Sequence, residues 1–303
     1  MDKNLYIDAT HPNETRVVLK SGNHIEDYEY EGLKNNLIKN NIYLGKVSRI
    51  EPSLQAAFID FGREKHGFLS FNDIQSDYYQ IPQSDIEKIK EEEERVREEL
   101  SKKVEAIEDE NLAEGKLEIN DPVEKEDLVE KEEFENKEKQ NKEIKNRNKF
   151  KKYKIQEVIK PNQVILVQVI KDERGQKGAA LSTFISIAGK YIVLMPNTPK
   201  GGGISRKIFN PADRKKIRSI LNQIIIPKQM GIIVRTAGSN KSKNEIDRDL
   251  QNLIKVWESI KDIAMNSIAP SLIHKESEII KRTIRDMYDD ETQNIIIDGN
   301  EGY

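Results

Sequence analysis

The chain has 303 residues, 50 of them basic and 53 acidic, for a net charge of −3 and a mean hydropathy of −0.73. It has no cysteine and four scattered histidines, which excludes disulfides and a thiolate zinc site within the chain and argues against a histidine-built metal centre. No window approaches the roughly 18 apolar residues of a membrane span, and the start MDKNLYIDAT lacks the apolar core of a signal peptide, so the chain reads as cytoplasmic, with any membrane contact peripheral.

The near-neutral total hides a division. Residues 85–140 carry 23 Asp and Glu against 11 Lys and Arg, a net of −12 that leaves +9 on the other 247 residues. A basic folded part suits attraction to a phosphate backbone, although most surface Lys and Arg contact nothing specific.

In chain order, Leu5–Ile7, Arg16–Leu19 and His24–Tyr30 read as strands, the last one following the turn Ser21-Gly22-Asn23. Such a meander is too small to stand alone and needs a later segment to pack against. Asn41–Asp73 then alternates like the wall of a small barrel. Ile42, Leu44, Val47 and Ile50 are expected on one face, and Ala57, Ile59 and Phe61 repeat the pattern after Pro52-Ser53. If Ala57, Ile59 and Leu69 face the core, the period of two sends Phe58 and Phe68 to the outer face, beside Lys46, Arg49, Lys65 and His66. Exposed rings among cations stack nucleic-acid bases at roughly 1–3 kcal/mol per base. The other reading is that both rings are core packing.

From about Ser76 to Tyr153 the sequence is dominated by Glu and Lys, with few aromatics and no steady apolar period, so it is expected to be disordered or loosely helical. A solvated insertion and an acidic arm that docks partners or repels RNA are both readings of it. Alternation resumes at Gln163–Lys171, turns at Asp172–Gly175 and continues over Lys177–Ser186. Three strands before the insertion and two after it make five, the number in an OB-fold.

Tyr191–Met195 and Met230–Thr236 are further strands, with a turn at Pro196–Gly203 and a helix near Pro211–Gln223 between them. Ser242 and Glu245 form a capping box for a long helix whose buried stripe is Ile246, Leu250, Leu253, Ile254, Trp257 and Ile260, stopping at Pro270. A short strand around Leu272, a helix from about Glu276 to Asp289 and a strand over Asn294–Asp298 complete the chain.

Val234–Gly238 lies between a strand and that capped helix, where backbone N–H groups and the helix dipole favour an anion. Arg235 can grip phosphate oxygens with its planar fork while the Thr236 hydroxyl adds a bond, although a plain structural loop is also a reading. Gly238–Ser242 resembles the tail of a P-loop, but Asn240 stands where the pattern requires glycine, which excludes an ATPase or GTPase. Gly201–Gly203 before Arg206-Lys207 reads either as a phosphate-backbone contact or as a hairpin tip. Asp60, Asp247, Asp249, Asp286, Asp289, Asp290 and Asp298 are all carboxylates of the magnesium-ligand type, yet none makes a paired motif.

Taken together, NIYLGKVSRIEPSLQAAFIDFG, HGFL, KGAALSTFISIAGKYIVLMPN, GGISRK and GIIVRTAG resemble the ribonuclease E/G family of bacterial endoribonucleases, on its ribonuclease E branch. The resemblance covers essentially the whole chain outside residues 78–152. It implies an α+β mosaic: a five-stranded OB-fold β-barrel with a charged insertion, a β-rich sensor subdomain and an incomplete ribonuclease-H-like subdomain. The implied divisions are 1–37 for the first part of the ribonuclease-H-like subdomain, 38–187 for the RNA-binding barrel interrupted by 76–153, 188–279 for the five-prime sensor, and 280–303 for a truncated second part of the ribonuclease-H-like subdomain. It also implies that Phe58, Phe68 and Lys177 bind single-stranded RNA, and that Gly189, Val193, Arg235 and Thr236 recognise a monophosphorylated five-prime end.

The two magnesium-binding aspartates of the family lie downstream of Asp298, and its zinc-link cysteines have no counterpart here. The expectation is therefore a piece of a longer Mg2+-dependent endoribonuclease, or a truncated reading frame, that binds RNA without cutting it and carries neither the magnesium site nor the Zn2+ link. The full-length family protein is expected to be a cytoplasmic homo-oligomer that cleaves AU-rich RNA in RNA processing and decay, within an RNA-degradation assembly and with peripheral contact at the inner membrane. The competing expectation is a non-catalytic RNA-binding or assembly protein whose acidic insertion recruits partners.

Overall fold

The computed structural model describes residues 3–11, 14–32, 38–91, 95, 153–198, 202–227, 229–276, 278–289, 291–300 and 302–303. They fall into two compact units, one made of residues 1–51, 56–75 and 161–303 and the other of residues 52–55 and 76–160. Most of the Glu- and Lys-rich tract, and with it the expectation of disorder there, lies outside the described residues.

Among the described residues the first unit contains three sheets. In the first, β1 (Lys3–His11), β2 (Glu14–Ser21) and β3 (His24–Gly32) form the expected meander, and β14 (Thr292–Asp298) joins β1 in parallel. Alternation buries Leu5, Ile7, Val17 and Leu19 on one face, against Ile279 and Met287 of the segment carrying the helix Ile279–Asp286. The later segment that the meander requires is therefore the end of the chain. Lys3 Nζ lies 2.6 Å from Asp289 Oδ2 and clamps the start of β1 beside the start of β14.

The second sheet closes on itself. β4 (Ile42–Glu51), β5 (Ala56–Asp60), β6 (Gly67–Ser70), β8 (Ala180–Ser182) and β7 (Val164–Lys171) follow one another, and β7 pairs back onto β4 to give a closed, OB-fold-like five-stranded barrel. β6 and β8 run parallel and all other neighbours antiparallel. Val47, Ala57, Ile59, Phe61, Leu69, Ile165, Val167, Val169 and Leu181 are buried. Tyr43 meets Phe61 edge to face, with centroids 5.1 Å apart.

Ile42 and Leu44 do not share the inner face with Val47. An odd separation puts Ile42 on the opposite side of β4 from Val47, so Tyr43 and Gly45 take the inward places while Ile42 joins a second core with Leu44 packed against it. β13 (Ser271–His274) pairs with Ile42–Leu44 along the edge of β4 that β5 occupies further on. The expected strand over Lys177–Ser186 shrinks to three residues. Thr183 leaves the ladder because its amide and hydroxyl both donate to the Asp73 carbonyl, and the Asn197 side chain takes the Ile185 amide and the Thr183 carbonyl.

The third sheet has the order β11 (Gly202–Ile204), β12 (Gly231–Val234), β10 (Ile192–Met195) and β9 (Ile187–Ala188). Gly202 and Gly203 are therefore strand residues parallel to β12 rather than a hairpin tip, and Gly203 has a φ of 148°, which favours glycine. The long helix Lys243–Asn266 starts at Ser242, whose hydroxyl and the Glu245 carboxylate cap each other's amides. Its residues Ile246, Leu250, Leu253 and Ile260 are buried with Ile192, Leu194 and Val234, and Ile254 and Trp257 pack at the margin, as the apolar stripe predicts.

The second unit contains a helical stretch at residues 83–91 and the single turn Ile155–Val158. The Gln55 side chain accepts from the Ile155 amide, Gln80 donates to the Val158 carbonyl, and the Tyr153 hydroxyl donates to Asp85. Among the described residues no helix is long and apolar enough to cross a membrane.

Closure of β6 on β8 depends on Gly178, where a Cβ would stand 2.0 Å from the His66 carbonyl oxygen. Backbone cannot yield there as a flexible side chain would. Gly178→Ala should destabilise the fold by about 1–3 kcal/mol, read as a lower urea midpoint at constant m-value; an unchanged midpoint would remove this constraint from the account of closure.

Candidate nucleic-acid interface

Phe58 and Phe68 stand on the outer wall of the barrel. Their sequence neighbours Ala57, Ile59 and Leu69 are fully buried, whereas Phe68 is 37% exposed and Phe58 half-buried. The two are direct cross-strand partners, with ring centroids 6.0 Å apart and planes at 75°. Arg49, opposite Phe58 on β4, lays its guanidinium carbon 4.4 Å above the Phe58 ring. One row across four strands therefore reads Arg49, Phe58, Phe68, Ala180, a cation followed by two rings and then a small side chain that leaves room beside Phe68.

Lys177 is exposed on the turn between β7 and β8, three residues before Ala180. The turn is closed by a pair of backbone bonds between Arg174 and Lys177, and Gly175 has a φ of 58°. Lys65 donates to the Gly175 carbonyl at 2.7 Å, and Gly178 lies against the His66 backbone, so Lys177 is carried to the Lys65–His66 end of β6. Of the cations near the rings in sequence, Arg49 alone reaches a ring face among the described residues.

Gly189, Val193, Arg235 and Thr236, nearly fifty residues apart at their extremes, meet around the third sheet. Val193 pairs with Ala188 on one side and Ile233 on the other, and Arg235 follows β12 with its amide bonded to the Tyr191 carbonyl. Arg235 Nη1 donates to the Gly189 carbonyl at 2.6 Å and to Asp286 Oδ1 at 2.7 Å. Thr236 is exposed at the start of the single turn Thr236–Gly238 that leads to Ser242. Asp249 of the long helix accepts from the Tyr191 and Ile192 amides and fixes the loop that carries Gly189, where a Cβ would lie 2.6 Å from its carboxylate. Lys190 lies over the rings of both Tyr191 and Tyr288, at 5.6 and 5.0 Å.

Asp286 and Arg285 extend this cluster. Burial works to raise the Asp286 carboxyl, but the Arg285 and Arg235 guanidinium groups outweigh it and hold the group below the usual carboxylate range. Burial likewise opposes the charge of Arg285, and bonds to Asp286 and Glu276 reverse that and raise it. Of the described aspartates that the sequence leaves open as magnesium ligands, Asp249, Asp286 and Asp289 are engaged by backbone amides or by basic side chains, and among the described residues no three His, Asp or Glu side chains cluster. A cavity of about 100 Å³ beside Arg285 is lined on its polar side by Gln168, Ser186, His274 and Glu276.

Comparison with known proteins bears on this geometry. A family model described as the Ribonuclease E/G family matches residues 186–303. Ribonuclease E of Buchnera aphidicola subsp. Acyrthosiphon pisum is 36% identical over 296 residues, 98% of this chain and 26% of its own length. Ribonuclease E of Escherichia coli K12 is 36% identical over 98% of this chain and 22% of its own length. A putative ribonuclease E of Buchnera aphidicola subsp. Baizongia pistaciae is 33% identical over 99% of this chain and 57% of its own length.

The chain belongs to the ribonuclease E/G family. It spans about a quarter of the length of the first two relatives named. Within this ribonuclease E-type region, the sequence pattern puts Phe58 and Phe68 on the outer face and singles out Arg235, names Asp286 only as a carboxylate of the magnesium-ligand type, and passes over Arg285. Arg285 and Asp286 carry no local signature, because what distinguishes them is a contact made across 51 residues of chain.

His274 offers a titration test of the packing. Burial pushes its imidazole below the usual value of 6.5, against the pull of Glu276. A group depressed in the fold contributes stability above its unfolded value and loses it as pH falls through the folded one. Between about pH 7 and about pH 5, therefore, thermal melting should show His274→Asn losing less stability than the parent chain; parallel melting curves would contradict the burial argument.

Proposed function

We propose that this chain is the RNA-binding and five-prime-monophosphate-sensing portion of a ribonuclease E-type endoribonuclease, which as a whole protein cleaves single-stranded, AU-rich RNA in RNA processing and decay. The observation that carries this reading is the Phe58–Phe68 pair on the barrel wall, with Arg49 against one ring. Two crossed rings with an open flank offer a base a face to stack on, and stacking is indifferent to which base it is. Lys177 supplies a phosphate contact at the same end of the barrel, and the basic balance of the residues outside 85–140 supplies the sequence-independent attraction.

In this reading residues 38–187 are the RNA-binding OB-fold interrupted by 76–153, and 188–279 the sensor. Residues 1–37 with 280–303 belong to a ribonuclease-H-like part. A terminal phosphate is met by Arg235 and the Thr236 hydroxyl, with Gly189 and Val193 lining its approach.

Two measurements test the reading. Phe58→Ala and Phe68→Ala should each weaken binding of a single-stranded oligoribonucleotide by roughly 1–3 kcal/mol, about 5- to 150-fold, in fluorescence anisotropy at fixed salt. Affinities equal to the parent's would refute the stacking surface. Separately, RNA of one sequence should bind better with a five-prime monophosphate than with a five-prime hydroxyl, and Arg235→Ala should erase that preference; indifference of the parent chain to the end group removes the sensor.

A further inference from the structure

Arg235 is fastened at one nitrogen. Nη1 takes both acceptors, the Gly189 carbonyl and Asp286, and among the described residues nothing accepts from Nε or Nη2. The Nε–Nη2 edge is one of the two donor pairs of a guanidinium that match a phosphate or carboxylate in bidentate fashion. The side chain is 29% exposed.

Asp286 is itself held rigidly. Arg285 grips it with a fork, Nε to Oδ1 at 3.1 Å and Nη2 to Oδ2 at 2.8 Å. The remaining Arg285 nitrogen, Nη1, donates to Glu276 at 2.7 Å and to the Ala188 carbonyl at 3.3 Å. A chain of alternating charge, Glu276, Arg285, Asp286, Arg235, thus runs from the segment after β13 to the loop after β12. It touches the backbone beside β9 at two consecutive carbonyls, those of Ala188 and Gly189.

We propose that Asp286 is a positioning residue for the terminal phosphate, holding Arg235 through Nη1 so that the Nε–Nη2 edge is set for a phosphate monoester before the RNA arrives. This rests on the reading of Arg235 as the phosphate-reading group. Arginine has a long, freely rotating stem, and fixing it in advance removes an ordering cost that binding would otherwise carry. The opposite role, a carboxylate that competes with the phosphate for Arg235, predicts the opposite sign on its removal.

The test measures the ratio of affinities for monophosphate-ended and hydroxyl-ended RNA of one sequence in the parent chain, Arg235→Ala, Asp286→Ala, Asp286→Asn and Arg285→Lys. Asp286→Ala should lower the ratio about tenfold, the worth of one charge-assisted hydrogen bond, while affinity for hydroxyl-ended RNA stays that of the parent. Asp286→Asn, whose amide oxygen still accepts from Nη1, should keep most of the ratio, a rescue that general loss of structure would not produce. Should Asp286→Ala fail to fold, Arg285→Lys keeps the charge without the fork and should lower the ratio on its own. A parent-like or raised ratio in Asp286→Ala, or in Arg285→Lys where Asp286→Ala does not fold, overturns the positioning role. A parent chain with no preference for the monophosphate, or an Arg235→Ala chain that keeps it, overturns the sensor reading instead.

Discussion

The pairing of β7 back onto β4 is the interaction on which the remaining structure rests. Once the barrel is closed, each residue on its five strands must point either inward or outward, and the interior admits a limited volume. Val47, Ala57, Ile59, Phe61 and Leu69 fill that volume. Phe58 and Phe68, one step out of phase, are left on the wall opposite one another. The ring pair is thus a by-product of parity and closure together, since an open sheet would not force the same division between core and surface.

β4 serves three neighbours. One edge carries β7 along its first half, and the other carries β13 and then β5. Ile42, turned away from the barrel interior, becomes part of the core that supports β9, β10 and β12. The wall that presents aromatic rings and the loops that gather Gly189 and Arg235 are therefore braced by opposite faces of a single strand. Buried Gln168 strengthens the junction, bonding from β7 to the backbone of both Asn40 and Ser186.

The cluster around Arg235 follows a different logic. Backbone carbonyls and carboxylates, not apolar packing, set its geometry, and Glu276, Arg285, Asp286 and Arg235 pair as opposite charges. Partly buried ions are costly unless paired and hydrogen-bonded, and here the pairing is what orients the groups. Asp249 does the same for the neighbouring loop by accepting from two backbone amides, those of Tyr191 and Ile192.

Local pattern was sufficient for most of this protein's parts. Period-two alternation located the meander and four of the five barrel strands and put Phe58 and Phe68 out of phase with their neighbours, because strand geometry couples sequence spacing directly to side-chain direction. The Ser242–Glu245 box and the apolar stripe from Ile246 to Ile260 marked the long helix for the equivalent reason at period 3.6. Family resemblance, not local pattern, singled out Gly189 and Val193. Which edges meet had no such local code: the parallel pairing of β14 with β1, the seat of β13 on β4, the shortening of the last barrel strand by Thr183 and Asn197, and the outward turn of Ile42. The joining of Asp286 to Arg235 belongs with these. Each depends on segments far apart in the chain competing for the same hydrogen-bonding edge or the same counter-charge, and that competition is decided only when the whole unit is packed.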